Sequence, residues 1–273
     1  MKTIVLDNNL ENIKIYDACK IDRIFIDLEI HGKQERQGHL DTVISDHTFE
    51  DIKRIKPLLK NSQVLVRVNP IYKDSLKEIN TVIDNGADIV MLPMFKTKDE
   101  VESFISYVNK RATVCLLLET SEALCRIDDI LELDGIDEIH IGLNDLHLAL
   151  GLDFMFELMG GGIIEYLTKK IAIKNIPFGI GGVARMDDGM LQGKIVIREH
   201  IRLGSSMVIL SRTFKGENTL KQPFLEKELL KLKNEVVTAK NLSIEKLNEN
   251  QYDLHSTAQK IANIIKKNRI NRS

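Results

Sequence analysis

The strongest constraint on the fold is an alternation. Short runs rich in Val, Ile and Leu recur along the chain, and segments with apolar residues at helical spacing separate them. The runs are Thr3–Leu6, Arg23–Leu28, Gln63–Val68, Ala87–Leu92, Val114–Leu118, Glu138–Ile141, Pro177–Ile180 and Met207–Leu210. Runs this short and apolar suit strands buried on both faces. Strand–helix alternation then makes a parallel sheet with helices outside. About eight such units in roughly 220 residues fit a (β/α)8 TIM barrel. The competing doubly wound sheet normally carries a glycine-rich turn after its first strand, and Asp7-Asn-Asn-Leu10 has no glycine.

The connecting segments carry helix signals. Thr48 with Asp51 three positions on resembles a capping box ahead of Ile52, Ile55, Leu58 and Leu59. Asn85-Gly86 is a C-cap pair. The spacing predicts one helix over Glu122–Leu133 and another over Ile163–Lys174.

From about Gln222 the texture turns helical and charged. The expected organisation is a catalytic barrel over 1–221 and a helical extension over 222–273. Leu229, Leu232, Val236 and Val237 form one apolar stripe, and Ala258, Ile261, Ile264 and Ile265 a second. Two surfaces are open to them: the chain's own barrel or a neighbouring subunit of a homo-oligomer. Residues Lys266–Ser273 are expected to fray.

Composition excludes some partners. With 38 basic and 40 acidic residues among 273, there is no electrostatic footprint for nucleic acid or an anionic membrane. No apolar run approaches the length of a membrane helix, and the first stops at Asp7, too short for a signal peptide. Cys19, Cys115 and Cys125 fit neither a disulfide framework nor a zinc motif. The expectation is a cytoplasmic protein.

Two runs lead into carboxylates. Leu116-Leu-Leu118 precedes Glu119, and Ile139-His-Ile-Gly142 leads to Asp145. In a parallel barrel both belong at the C-terminal edge, where such enzymes build their sites. Two carboxylates there suit a hard cation such as Mg²⁺ or Mn²⁺, which keeps positions open for substrate. Helix capping or ion pairing explains the same spacing equally well. Arg67 ends the third run, and its fork matches planar oxygens; a structural ion pair is the alternative. Asp27-Leu-Glu29 closes the second run. His31, Lys33, Arg36, His39 and His47 follow it, a stretch dense in titratable groups from which a general base can come. Gly179-Ile-Gly-Gly182, with Arg185 beyond it, reads either as an anion-binding loop or as a tight turn.

The motifs Asp27-Leu-Glu29, Val66-Arg67-Val-Asn69, Gly86-Ala-Asp-Ile-Val-Met-Leu-Pro93, Leu118-Glu119-Thr and Ile141-Gly-Leu-Asn-Asp145-Leu resemble the HpcH/HpaI aldolase and citrate lyase β-subunit family. They occur in family order over about residues 20–215. The resemblance implies a TIM barrel and a divalent metal. It also implies cleavage or formation of a carbon–carbon bond beside a 2-oxo acid or acyl-CoA enolate. By it, Glu119 and Asp145 are the metal ligands. Arg67 holds the substrate and its enolate; taken together with His31 and Asp27 from around the second run, it makes the expected catalytic set. Arg67, Glu29, Asp145 and Asn144 contact the substrate, the last two through backbone N–H groups. One position departs from the pattern. Pyruvate aldolases of the family commonly read Asp-x-Glu-His, and the citrate-lyase branch reads Asp-Leu-Glu-Asp followed by Lys and Arg. Here Ile30 stands at that place and His31 comes one residue later.

The expected activity is a metal-dependent lyase that takes a pyruvate-like 2-oxo acid and an aldehyde. An enzyme of acyl-CoA thioesters and a catalytically inactive assembly protein are the alternatives.

Overall fold

A computed structural model describes residues 1–31, 46–216 and 219–271. Eight strands close a barrel in the order β1 to β8. This is the (β/α)8 architecture that the alternation predicts. Contacts divide the chain into two units, Lys2–Ile141 and Gly142–Ser273 with Met1.

The first unit holds β1 (Lys2–Leu6), α1 (Leu10–Ala18), β2 (Arg23–Asp27), α2 (Phe49–Ile55), β3 (Gln63–Arg67), α3 (Ser75–Asp84), β4 (Ile89–Leu92), α4 (Lys98–Val108), β5 (Thr113–Leu118), α5 (Ser121–Cys125), α6 (Ile127–Ile130) and β6 (Glu138–Ile141). Strands β1 to β6 pair in parallel, each with the next. Every residue of β2, β4 and β6 is buried, as strands covered on both faces require.

An aspartate stands immediately before each of these three strands. Asp22 accepts the Thr3 N–H at 2.7 Å, Asp88 that of Val64 at 2.8 Å and Asp137 that of Val114 at 2.7 Å. Each bond satisfies the second residue of the preceding strand, so the same device sets the stagger three times. Arg23 and Glu138, which open β2 and β6, are both buried and pair through two hydrogen bonds, one of them 2.8 Å between Nη2 and Oε2. The segment expected as one helix over Glu122–Leu133 is instead α5 and α6. Arg126 leaves helical geometry between them (φ −104°, ψ 16°) and donates to the Lys96 carbonyl at 2.8 Å.

The second unit holds α7 (Leu143–Ala149), α8 (Glu157–Gly160), α9 (Ile163–Ile173), β7 (Phe178–Val183), α10 (Gly193–Leu203), β8 (Met207–Leu210), α11 (Gln222–Lys240) and α12 (Ile244–Ile270). Helix α11 packs on α10, and α12 packs on α8 and α10. The Asn250 amide of α12 donates to the Ile195 carbonyl of α10 at 3.0 Å. At Gly160 a Cβ would lie 2.8 Å from the His255 Cα, so only glycine admits this approach of α8 to α12. Leu229, Leu232, Val236, Ala258 and Ile261 are buried, while Val237 and Ile264 stay 60% and 46% exposed. The buried parts of both stripes are therefore covered by the chain's own helices. Helix α12 runs to Ile270. No helix among the described residues is long and apolar enough to cross a membrane.

Candidate active site

Asp27 and Arg67 end β2 and β3 and are register partners. Parallel pairing therefore puts their side chains on neighbouring strands at the same height. The Arg67 fork closes on the Asp27 carboxylate with Nε–Oδ1 and Nη2–Oδ2 both at 2.8 Å, and Nη1 lies 3.3 Å from Glu29 Oε2. Both carboxylates are 2% exposed. The guanidinium also lies 5.7 Å from the centre of the Phe25 ring, within the range of cation–π attraction. Burial alone would push Arg67 down. The charge and hydrogen bonds of Asp27, then the charges of Glu29 and Glu119, outweigh it, so the group is held above its ordinary range. Arg67 is thus permanently cationic and set among the carboxylates of Asp27, Glu29 and Glu119.

Glu119 follows β5 and is buried. Its Oε1 accepts the Met94 N–H at 3.3 Å. Met94 lies just past β4 with φ +53°, a left-handed conformation that a long side chain adopts at a cost. Next to Glu119, the Thr120 hydroxyl donates to the Phe95 carbonyl at 2.7 Å and caps α5 by accepting the Ala123 N–H. The chain after β4 is thereby tied to the carboxylate that the sequence singles out.

The chain after β2 is held from β3. Asn69, two residues beyond Arg67, accepts the Ile30 and His31 N–H groups through Oδ1 at 2.9 and 3.1 Å. Its Nδ2 and its backbone N–H both donate to Glu78 Oε1, at 2.8 and 3.2 Å. The His31 ring stands edge-on to Tyr72, with centroids 4.7 Å apart. Burial pushes the Glu78 carboxyl up, against hydrogen bonds from Asn69 and the charge of His31. Asn69, Tyr72 and Glu78 were not among the expected site residues. One cue was available: Arg67 and Asn69 alternate with Val66 and Val68, the period-two spacing that puts both on one face.

His47 reaches the same place from the far end of the polar stretch. Its Nδ1 accepts the Asp27 N–H at 2.9 Å. The neutral ring then carries its hydrogen on Nε2, so Nδ1 does not serve as a base. Burial lowers its pKa, against the charges of Asp27, Asp51, Asp46 and Asp7. Lys33, Arg36 and His39 lie outside the described residues.

In the second unit, Asp145 is buried in the first turn of α7, with Asn144 beside it. It is a helix residue and not the end of a strand, because β6 stops at Ile141 and Gly142 caps the helix. The glycine run Gly179–Gly182 is no loop: it lies inside β7, where the pairing with β8 slips between Gly179 and Gly182. Gly181 has φ +41°, and a Cβ there would lie 2.6 Å from Leu143 Cδ1. At this position glycine makes room for α7. Arg185 is engaged with Asp188 and lies 5.4 Å from the Phe224 ring centre.

A cleft of about 770 Å³, lined in part by Asp88, Lys110, Arg111, Asp134 and Asp137, opens at the strand starts of the first unit. Barrel chemistry belongs at the opposite ends of the strands, and Asp88 and Asp137 are occupied in capping them. Size therefore does not make this cleft the active site.

The family described as HpcH/HpaI aldolase/citrate lyase matches residues 5–157. The chain belongs to that family. Membership makes it a lyase-type enzyme; in this chain Asp27 and Glu29 stand at the end of β2, Glu119 at the end of β5, and Arg67 ends β3. A hydroxypyruvate/pyruvate aldolase of Roseobacter denitrificans is 24% identical over 185 residues, 55% of this chain and 70% of that protein. A 4-hydroxy-2-oxo-heptane-1,7-dioate aldolase of Salmonella heidelberg is 22% identical over 54% of this chain and 63% of its own length. Other curated aldolases are matched over 61% and 44% of their lengths, so the chain spans about half to two thirds of several of these relatives. Among solved structures, the HpcH/HpaI aldolase of Desulfitobacterium hafniense superposes with a TM-score of 0.59 at 16% identity, covering 81% of this chain and 95% of that one. The citrate synthase SbnG superposes at 0.60 with 17% identity, covering 88% and 92%. These structural matches establish the barrel shared by HpcH/HpaI proteins.

Proposed function

We propose that this HpcH/HpaI family member is a divalent-metal-dependent carbon–carbon lyase that acts on a pyruvate-like 2-oxo acid, with an aldehyde as the second reactant. The observation that carries the reading is Arg67, only 12% exposed, paired with the buried Asp27 and Glu29 and in the field of Glu119. Among the described residues, no three His, Cys, Asp or Glu side chains form a ready-made metal cage. The donor chemistry nonetheless fits a hard cation. Carboxylate oxygens are the ligands such an ion takes, and a set of few carboxylates leaves positions for substrate oxygens. Glu119 and Asp145 are the proposed ligands, each following its strand in family order. Bound there, Mg²⁺ or Mn²⁺ supplies a Lewis acid.

The chain's own groups do the rest. Arg67 gives a fixed cation for the substrate carboxylate or the developing enolate oxygen. Asp27 and Glu29 hold its fork in plane. Asn144 and Asp145 offer first-turn N–H groups of α7 to the substrate carboxylate. The exposed Val237 and Ile264 are apolar surface for assembly into a homo-oligomer.

The test is exchange of pyruvate methyl protons in D₂O with Mg²⁺ or Mn²⁺. The wild type should exchange only with metal, and Glu119→Ala and Asp145→Ala should each lower the rate by at least about a hundredfold. Metal-dependent exchange surviving in Glu119→Ala would refute the ligand assignment. Coenzyme A binding without exchange would point to a thioester substrate instead.

A further inference from the structure

Asp27 closes β2, and the backbone around it is held from two sides. The Leu28 N–H donates to the Arg67 carbonyl of β3 at 2.9 Å. Successive N–H groups of a parallel strand point to opposite neighbours, so the Asp27 N–H faces the β1 side. The β1–β2 pairing ends at Leu6 opposite Phe25, two residues short of Asp27. On that side the acceptor is a side chain: His47 Nδ1 takes the Asp27 N–H at 2.9 Å. The imidazole thus stands in for a strand at the residue of β2 whose carboxylate grips Arg67. Asp27 Oδ1 also accepts the Glu29 N–H at 3.2 Å, which ties Glu29, 3.3 Å from Arg67 Nη1, to the same stretch of backbone.

We propose that His47 is the positioning residue of the Asp27–Arg67 fork, and that protonation of its Nδ1 lone pair releases the fork in acid. The proposal rests on the enolate reading above, in which the fork presents Arg67 to the substrate. In the neutral ring the hydrogen sits on Nε2 and Nδ1 accepts. Acid adds a solvent proton to the Nδ1 lone pair. Two hydrogens then face each other across 2.9 Å, so the bond to the Asp27 N–H breaks and the ring turns away. The end of β2 loses its hold on the β1 side, and the fork loses its fixed height. Burial of the ring favours the neutral form and outweighs four carboxylates: Asp27 on β2, Asp51 on α2, Asp46 beside His47 in the chain, and Asp7 after β1. Asp51 lies 3.7 Å from Arg54 and accepts the Thr48 N–H, while Asp7 accepts from Asn12 and Tyr16. Release therefore belongs on the acid side of about pH 6.5, the ordinary histidine value.

Two amide side chains separate the lone pair from the rest of the ring. The asparagine Oδ1 and the histidine Nδ1 are both carried on Cγ, so His47→Asn keeps an acceptor near the place of Nδ1 and does not titrate. Glutamine carries its amide one carbon further, near the place of Nε2, so His47→Gln keeps polarity and deletes that acceptor. Deuterium exchange into pyruvate with Mg²⁺ would be followed from about pH 4.5 to about pH 8, per folded protein. The protection of the Asp27 amide would be followed beside it, corrected for the intrinsic effect of pH. The ratio of the wild-type rate to the His47→Asn rate should fall by about threefold or more toward the acid end, through a single ionisation. Taking the ratio removes any acid effect common to both proteins. Asp27 protection should fall in the same range in the wild type and not in His47→Asn. Near pH 7.5, about a unit above the ordinary histidine value, His47→Gln should be at least about tenfold slower than His47→Asn, with its Asp27 amide less protected.

Parallel rate profiles of wild type and His47→Asn would overturn the proposal. So would a His47→Gln enzyme as fast as His47→Asn. If His47→Gln does not fold, the profiles of wild type and His47→Asn decide alone. A wild type that exchanges no pyruvate protons with metal overturns the enolate reading instead. The Asp27 amide then decides the role of His47: protection lost in acid by the wild type and kept by His47→Asn establishes the hold on β2, and equal behaviour of the two overturns it.

Discussion

Arg67 meets Asp27 side-on, through two hydrogen bonds of 2.8 Å between register partners on adjacent strands. The backbone pairing that builds the barrel also aligns the fork with the carboxylate. Arg67→Met should leave Asp27 and Glu29 buried without their shared cation and cost about 3–5 kcal/mol, read from urea unfolding. Arg67→Lys should regain part of that stability but little turnover, because an ammonium cannot reproduce the planar fork. Equal turnover in Arg67→Lys and wild type would contradict the role given to the fork.

The Arg23–Glu138 pair makes a separate prediction, since it opens its strands at the ends opposite Arg67. Removing one partner, as in Arg23→Met or Glu138→Leu, should destabilise by about 3–5 kcal/mol, whereas the double replacement should cost less than either single one. Metal-dependent exchange per folded molecule should be unchanged in the double variant. A double variant that is destabilised by the sum of the two singles would show the pair to be uncoupled.

His47 predicts a pH dependence of stability. Burial lowers its pKa in the folded state despite the surrounding aspartates. The unfolded chain therefore binds the proton more readily, and stability rises with pH across the window between the two values. Acidification below about pH 6.5, the ordinary histidine value, should destabilise the wild type. His47→Asn keeps an acceptor for the Asp27 N–H and removes the titration. Urea midpoints compared on either side of that window should fall with acid more in the wild type than in His47→Asn; parallel curves would remove His47 as the cause.

Gly181 and Leu143 predict a compensating pair. A methyl at 181 meets Leu143 at 2.6 Å and needs a backbone with φ +41°. Gly181→Ala should cost about 1–3 kcal/mol from overpacking together with backbone strain, read from urea unfolding. Leu143→Ala in the same protein should return the overpacking part and leave the strain. No recovery in the double variant would mean that strain alone sets the cost.

Much of the barrel is legible along the chain because strand burial and helix amphipathicity are written in local periodicity. The eight apolar runs match the eight strands to within a residue or two at the majority of their ends. The Thr48–Asp51 cap forms as read, with Asp51 Oδ2 accepting the Thr48 N–H at 2.8 Å. Local signals failed where a neighbour decides the backbone. The segment after Thr120 breaks at Arg126. The glycines of β7 look like a loop because nothing in their own sequence shows that Leu143 needs the space.

What the sequence alone determined is the barrel, the family, and the identity of Arg67 and Glu119 as polar residues at strand ends. Residue type, spacing and order along the chain carry those properties. Tertiary structure decided which charges meet. The Asp27–Arg67 fork, the His47 ring on the Asp27 N–H, the tie from Met94 to Glu119 and the clamp of Asn69 and Glu78 on His31 all join segments apart in the chain. Hydrogen bonds of this kind depend on distances and angles set by strand register and loop path, and no local pattern of residues encodes those.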